Sequence, residues 1–273
     1  MVNVTMADIQ KLRKMTGAGM MDCKNALIEA ESDFDKAIEI IRKKGQAVAA
    51  KRSDRDASEG CVLANAKDGF AAIIALKCET DFVAKNADFV ALTQSILDTA
   101  MAAKASSLDE IKNLTIEGRT ISDLVIERSG VTGEKMELDY YEFVQGASTI
   151  SYIHPGNKLA TIVAFNESDI DYQVTRDIAM QAAAMNPVAL DRDAVPTKII
   201  ETELEIGRDK ARQEGKPENM LDKIAQGRLN KFFQESTLLE QDFIKDGKIA
   251  VKDYLKANNA SVADFKRVTL NLD

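Results

Sequence analysis

The sequence predicts an α+β fold: a three-helix N-terminal module, two antiparallel sheets with helices, and an antiparallel coiled-coil hairpin. Three observations predict it. Apolar residues recur at spacings of three and four through the first 50 positions, where Gly17 and Gly19 separate two helices. A period-two pattern appears in two regions, each followed by an alanine-rich helix. Two strongly charged helical stretches flank Gly215 and Pro217, which is typical of a helical hairpin.

The N-terminal module is predicted to span residues 1–54 and to contain three short helices. Thr5 is placed to cap the first helix, and Ser32 to cap the third. Gly45 is expected to end the third helix, because glycine is the usual residue just beyond a helical C-terminus. Residues 46–58 are then expected to form a polar linker.

Two hairpins are predicted in the core. Residues 60–66 and 70–77 are strand-like runs joined by a turn that contains Lys67, Asp68 and Gly69. Residues 148–154 and 158–165 repeat this pattern around a second turn. Both halves therefore have the order of hairpin, turn and helix.

The two halves of the core also align in sequence. Residues 71–75 read AAIIA and residues 160–164 read ATIVA. We interpret this as a duplicated subdomain, with one copy at 55–140 and the other at 141–273. Helices at 197–214 and 218–235 carry only a sparse apolar seam, so they are expected to pack mainly on each other as a coiled-coil insertion at about 190–235.

Charge and hydropathy exclude several classes of partner. The formal net charge of −8 argues against direct binding to nucleic acid or to a membrane surface, both of which require a basic field. No apolar run approaches the roughly 20 residues that span a bilayer, and the N-terminus lacks a signal peptide. We expect a cytoplasmic protein with a protein partner, and self-association stays open. The basic residues from Arg42 to Arg55 are interpreted as a helix end and a solvated linker.

Few residues could carry catalysis. His154 is the one histidine, and no phosphate-binding loop or metalloprotease motif is present. The three cysteines are far apart and odd in number, so we expect buried free thiols at Cys23, Cys61 and Cys78. A binding protein needs none of the missing groups.

Two segments carry a resemblance to a known family. They are residues 12–27, with TGAGMMDCKNAL at 16–27, and residues 78–86, which read CETDFVAKN. Both are similar to signatures of the elongation factor Ts family, and weaker matches run from Gly207 to Phe232. The resemblance covers nearly the whole chain. It implies a UBA-like N-terminal module, two related core subdomains and an inserted coiled coil.

The resemblance implies that the protein is not an enzyme but a guanine-nucleotide exchange factor for the GTPase elongation factor Tu. Such a protein needs no cofactor or metal of its own, and it acts on the Mg²⁺ and GDP held by its partner. Asp81 and Phe82 are implied as an intruding pair, whose ring wedges between helices of the GTPase domain. His154 is implied to face another domain of the partner. The residues implied to bind the partner are Arg13, Met20, Met21, Thr80, Asp81, Phe82, Val83 and His154.

Other interpretations of the same residues stay open. The helical hairpin could serve a non-catalytic scaffold or oligomerisation protein, and Asp81 or Glu79 could serve a hydrolase. Phe82 could simply pack inward, with Asp81 as the cap of its helix. Met20 and Met21 point about 100° apart on a helix, so only one of them can lie deep in the module.

Overall fold

The computed structural model describes residues 4–271. Residues 1–3 of the predicted N-terminal module (1–54) and residues 272–273 of the predicted second subdomain (141–273) lie outside the described residues. It begins with the three expected helices, α1 (Met6–Thr16), α2 (Met20–Glu29) and α3 (Phe34–Lys51). Thr5 caps α1 as predicted, in a reciprocal capping box with Asp8. Gly17 adopts a left-handed φ of 70° where α1 ends.

Two predictions for α3 are wrong. Its cap is Asp33, whose carboxylate accepts the backbone N–H groups of Asp35 and Lys36, and Ser32 lies before it with a φ of 66°. The helix also does not end at Gly45 but continues to Lys51, so the predicted linker starts as helix. A carboxylate is the better partner for the positive end of a helix, and this explains the shift of the cap.

The first sheet forms between residues 59 and 145. Its elements, with the helices between them, are β1 (Glu59–Lys67), β2 (Phe70–Cys78), α4 (Asp81–Ala84), α5 (Ala87–Ala103), α6 (Leu108–Asn113), β3 (Thr115–Ile116), β4 (Arg119–Thr120), α7 (Ile121–Thr132) and β5 (Glu137–Gln145). The strand order is β1-β2-β5, and both pairings are antiparallel. The predicted hairpin is present, and its turn consists of Asp68 and Gly69, both with positive φ, because Lys67 already pairs with Phe70.

The second sheet follows directly. Its elements are β6 (Ser148–Ile153), β7 (Leu159–Phe165), α8 (Tyr172–Met185), α9 (Thr197–Gln213), α10 (Leu221–Ser236), β8 (Asp242–Phe243), β9 (Asp246–Ala250), α11 (Val251–Ala257) and β10 (Val262–Thr269). The strand order is β6-β7-β10, again antiparallel. Helices α9 and α10 form the predicted pair, and a short 3-10 turn at Glu218–Met220 precedes α10.

The two sheets pack against each other through small side chains. One face of β2 and one face of β7 contribute to this shared cluster, which includes Ala71, Ile73, Ala75, Ala160, Ile162 and Ala164. The opposite face of β2 packs on α5 through residues such as Phe89, and the opposite face of β7 packs on α8 through Ile178. Both central strands are therefore buried on two sides, which explains their continuous apolar runs.

Gly45 lies where α3 crosses α7. A Cβ atom on Gly130 of α7 would lie 2.3 Å from the Cα of Gly45, so the two backbones approach more closely than side chains would allow. Beside the crossing, Arg42 donates to Glu127 at 2.6 Å, and Arg119 reaches the same carboxylate at 2.8 Å. Gly45 is thus a packing residue, and Arg42 belongs to an ion-pair network rather than to a solvated helix end.

A buried carboxylate ties α8 to the C-terminal part of the chain. The side chain of Asp177 is 4% exposed and accepts hydrogen bonds from Lys245 (2.7 Å), Gln173 (2.6 Å) and Tyr254 (3.0 Å). Burial by itself raises the pKa of Asp177, but these three donors outweigh it and hold the pKa below its ordinary value. The carboxylate is therefore ionised in the folded protein.

Replacement of Asp177 by asparagine is expected to lower the free energy of unfolding by about 1–3 kcal/mol near neutral pH. Because the pKa of Asp177 is lower in the folded than in the unfolded chain, its contribution is complete above about pH 3.9 and is lost as the pH falls below that value. Urea denaturation of both proteins at a series of pH values measures the difference, which should shrink in acid.

A matched control is Asp98→Asn. Asp98 also accepts the side-chain N–H of a glutamine four positions earlier, Gln94, but on the exposed face of α5. We expect little change in stability for this variant. An equal loss in both variants, or a pH-independent difference for Asp177→Asn, would contradict the assignment.

Candidate partner-binding surface

Helix α4 displays one aromatic side chain to solvent. It begins after Thr80, whose hydroxyl accepts the N–H of Val83 at 3.4 Å. Ala84 is buried, and Val83 packs partly against the core of the first sheet. Phe82 is 86% exposed, the largest exposed fraction of any large hydrophobic side chain in residues 4–271. The alternative in which Phe82 packs inward is therefore wrong.

Asp81 lies beside Phe82 at the first position of α4. Its carboxylate accepts Lys85 Nζ at 2.7 Å, and this hydrogen bond holds the pKa of Asp81 below its ordinary value, with Lys158 acting in the same direction. The cap of α4 is Thr80 rather than Asp81. An ionised carboxylate and an exposed ring thus stand next to each other on one short helix.

Two carboxylates hold the turn that leads into α4. Glu134 accepts the backbone N–H groups of Glu79 (3.1 Å) and Thr80 (3.0 Å), together with the hydroxyl of Thr80 (2.6 Å). Glu79 in turn accepts the N–H of Lys135 at 2.6 Å and the guanidinium of Arg52 at 2.9 Å. These contacts lower the pKa of Glu79, and the hydrogen bond from the backbone N–H of Lys135 has the largest effect. Glu79 and Asp81 are both held by N–H groups or cations of neighbouring residues, so neither is poised to act as a general acid.

The N-terminal module presents a second exposed surface. Met21 is 64% exposed, whereas Met20 packs partly into the core of the module, so the expectation that only one methionine lies deep is confirmed. Arg13 is exposed and lines a groove of about 640 Å³ between α1, α5 and α7. Asp88, six positions after Phe82, lines the same groove. The groove thus extends from the module toward the start of α5.

His154 lies at the end of β6 and is exposed, with its Nδ1 atom 3.0 Å from the hydroxyl of Tyr152. The turn after it is attached to the first sheet, because Lys158 Nζ lies 2.7 Å from the carboxylate of Glu59. Glu59 is paired with Cys78, the last residue of β2 before the turn into α4. The structure therefore connects the turn after His154 to the end of the sheet from which α4 emerges.

Known proteins resemble this chain over almost its whole length. The family model described as "Elongation factor TS" matches residues 79–271. Elongation factor Ts of Porphyromonas gingivalis strain W83 is 63% identical over 273 residues, with 99% of each chain covered. That of Azobacteroides pseudotrichonymphae is 53% identical and that of Bacteroides thetaiotaomicron 49% identical, also with 99% of each chain covered.

The chain belongs to the elongation factor Ts family. Membership confirms the resemblance first seen in residues 12–27 and 78–86. The family model covers residues 79–86 of the second segment and does not reach the first. The relatives cover almost the whole chain and therefore include both segments. The turn before Phe82 thus lies within the region that the family model matches.

The three thiols of this family member are buried, as expected. Burial raises the pKa of Cys61 to about 11 and that of Cys78 to about 12, so both are protonated at neutral pH.

Among residues 4–271 there is no cluster of three or more side chains suited to hold a metal ion. No helix in the described part of the chain is long and apolar enough to cross a membrane.

Proposed function

We propose that this protein is the nucleotide exchange factor of elongation factor Tu. It binds the GDP-bound GTPase, disturbs the Mg²⁺ and phosphate site, and promotes release of GDP during translation elongation in the cytoplasm. The protein is not an enzyme and needs no cofactor, because exchange is driven by binding energy alone. The observation that carries this proposal is Phe82, an aromatic side chain that is 86% exposed on a capped turn of a family member.

An exposed aromatic residue on a rigid turn suits an interface anchor. A ring that enters a pocket of the partner contributes roughly 2–4 kcal/mol, as interface hot spots do. Less of that energy is lost to ordering when the turn is already held in place. Three hydrogen bonds to Glu134 hold it, two from Thr80 and one from the N–H of Glu79. Mg²⁺ keeps several waters and bridges phosphate oxygens, so disturbing its surroundings weakens nucleotide binding.

Exchange of this kind is reciprocal. If binding of the factor weakens GDP binding by a given ratio, GDP weakens binding of the factor by the same ratio. A coupling of about 5.5 kcal/mol corresponds to roughly a 10⁴-fold ratio. The incoming nucleotide can therefore displace the factor, which allows it to act on many partner molecules in turn.

The residues that contact the partner are proposed to form three groups. Thr80 to Val83 approach the nucleotide side of the GTPase domain, with Asp81 and Phe82 as the intruding pair. Arg13 and Met21 contact the same domain from the N-terminal module, and Met20 supports them from within it; the exposure of Arg13 and Met21 favours this arrangement. His154, which is also exposed, faces another domain of the partner.

We also propose that the core is a duplication. In both halves a hairpin is followed by a helix, and a third strand then pairs with the second strand of the hairpin. Residues 71–75 and 160–164, which align in sequence, both lie in the central strand of their sheet. The sequence predicts the first subdomain at residues 55–140. Strand β5 of its sheet continues to Gln145, which favours placing the end of the subdomain after that residue.

The other proposed units are the N-terminal module and the coiled coil. Residues 1–54 form the UBA-like module, supported by the compact packing of α1 to α3. Within 141–273, the insertion at about 190–235 includes α9 and α10. Their contact is close at Gly207, where an added Cβ would lie 3.0 Å from the Cα of Ala225, as expected for a coiled coil that packs on itself.

The proposal is tested by release of a fluorescent GDP analogue from elongation factor Tu in stopped flow, in the presence of Mg²⁺. We expect this protein to accelerate release by orders of magnitude, and excess GDP to weaken its binding to the GTPase. Absence of any acceleration would refute the proposal. A stable self-association detected by sedimentation would then favour a scaffold built on α9 and α10.

A further inference from the structure

We propose that Glu134 is a positioning residue that fixes the direction of Phe82 without touching the partner. The inference rests on the proposed function, because Glu134 acts through Phe82, the side chain proposed to enter the GTPase. Glu134 follows α7, and it is 52 positions away from Phe82 in sequence. Its carboxylate nevertheless binds the turn from which Phe82 projects.

Phe82 depends on its backbone for orientation. The ring is 86% exposed, so packing of the side chain does little to fix it. Helix α4 has only four residues, and a helix this short is not stable through its own hydrogen bonds. Contacts from outside α4 must therefore hold the turn if the ring is to meet the partner in one direction.

The carboxylate of Glu134 supplies such contacts. It accepts two consecutive backbone N–H groups, those of Glu79 and Thr80, and such bonds to an ionised acceptor are stronger than neutral ones. It also accepts the one hydroxyl proton of Thr80. That leaves the lone pairs of the hydroxyl free for the N–H of Val83, so Glu134 orients the cap of α4.

Glu134 is itself fixed by the end of α7. Gly133 ends that helix with a left-handed φ of 73°, and the N–H of Glu134 donates to the hydroxyl of Thr132 at 3.3 Å. Helix α7 also packs against α3 of the N-terminal module at the crossing of Gly45 and Gly130. The loop after α7 thus links the direction of Phe82 to the position of the module.

The experiment compares Glu134→Ala and Glu134→Gln with wild type in the stopped-flow assay of GDP release. We expect Glu134→Ala to lower the maximal release rate by about 10- to 100-fold, the loss typical of hydrogen bonds to a charged group. The concentration that gives half the maximal rate should change less, because the contacts of Arg13 and Met21 remain. Glu134→Gln should recover part of the rate, since its amide oxygen still accepts the backbone N–H groups.

A matched control is Glu167→Ala. Glu167 accepts the N–H and the hydroxyl of Ser261, both at 2.7 Å, and it lies in the second half of the core. Glu167 thus binds the N–H and hydroxyl of Ser261 as Glu134 binds those of Thr80, but it does not bind the turn that carries Phe82. We expect this variant to be destabilised by a similar number of degrees in thermal unfolding and to release GDP at the wild-type rate.

A double-mutant cycle with Phe82→Ala decides the matter. If Glu134 acts through Phe82, then the effect of Glu134→Ala on release becomes much smaller in the Phe82→Ala background. Multiplicative effects of the two changes, or a wild-type rate in Glu134→Ala, would overturn the inference while leaving the proposed function intact. No acceleration by wild type would refute both. If Glu134→Ala does not fold, Glu134→Gln is used in the same cycle.

Discussion

Phe82→Ala is expected to lower the rate of GDP release promoted by this protein by about 30- to 1,000-fold. This range corresponds to the roughly 2–4 kcal/mol that an aromatic anchor contributes to an interface. The melting temperature should stay the same, because a ring that is 86% exposed contributes little to the core of the free protein. Stopped-flow release and thermal unfolding of the same preparations measure the two quantities.

Tyr172→Ala provides the matched control for this prediction. Tyr172 is 65% exposed and occupies the first position of α8, so it is also an exposed aromatic residue at the start of a helix. It lies outside the proposed contact surface, and its replacement should leave the release rate unchanged. A Phe82→Ala protein as active as wild type would show that the exchange site has been assigned to the wrong residue.

Gly130→Ala is expected to lower the free energy of unfolding by about 3 kcal/mol, near the upper end for overpacking. The added methyl group would lie 2.3 Å from the Cα of Gly45, and backbone atoms cannot move aside as a flexible side chain can. Helices α3 and α7 would have to separate, and the ion pair of Arg42 with Glu127 would be strained. Urea denaturation of both proteins measures the loss.

The control for this change is Gly227→Ala. Gly227 also lies inside a helix, α10, but a Cβ at this position meets no atom within 4 Å. Alanine should therefore stabilise the protein here by about 0.5–1 kcal/mol through the smaller entropy of its unfolded chain. The two substitutions are chemically identical, so opposite signs would isolate the effect of the crossing. A stabilising Gly130→Ala would contradict the close approach of the helices.

Local patterns in the sequence were sufficient for most of the fold. The capping box at Thr5, the turn at Asp68 and Gly69, and the apolar periodicity of the helices each depend on neighbouring residues, and all of them are present in the structure. The prediction that Gly45 ends α3 is wrong because a glycine that ends a helix and one that admits a second helix look alike in sequence. Strands β3, β4 and β8, with two residues each, are too short to show a period of two.

The residues proposed to touch the partner were found through family motifs, whereas those that hold them in place were not. Glu134 lies 54 positions from Thr80, and Arg52 lies 27 positions from Glu79. Nothing in a single sequence distinguishes these charged residues from the many others on the surface. Their roles depend on which helices and loops meet in the folded chain.

The three buried thiols make the protein well suited to site-specific labelling. Reagents such as maleimides react with the thiolate, and burial both shields Cys23, Cys61 and Cys78 and keeps their protons bound. A cysteine introduced at an exposed site, as in Met21→Cys, should therefore react selectively in the folded protein. A fluorophore there could report the approach of the GTPase in real time, with the native cysteines left in place.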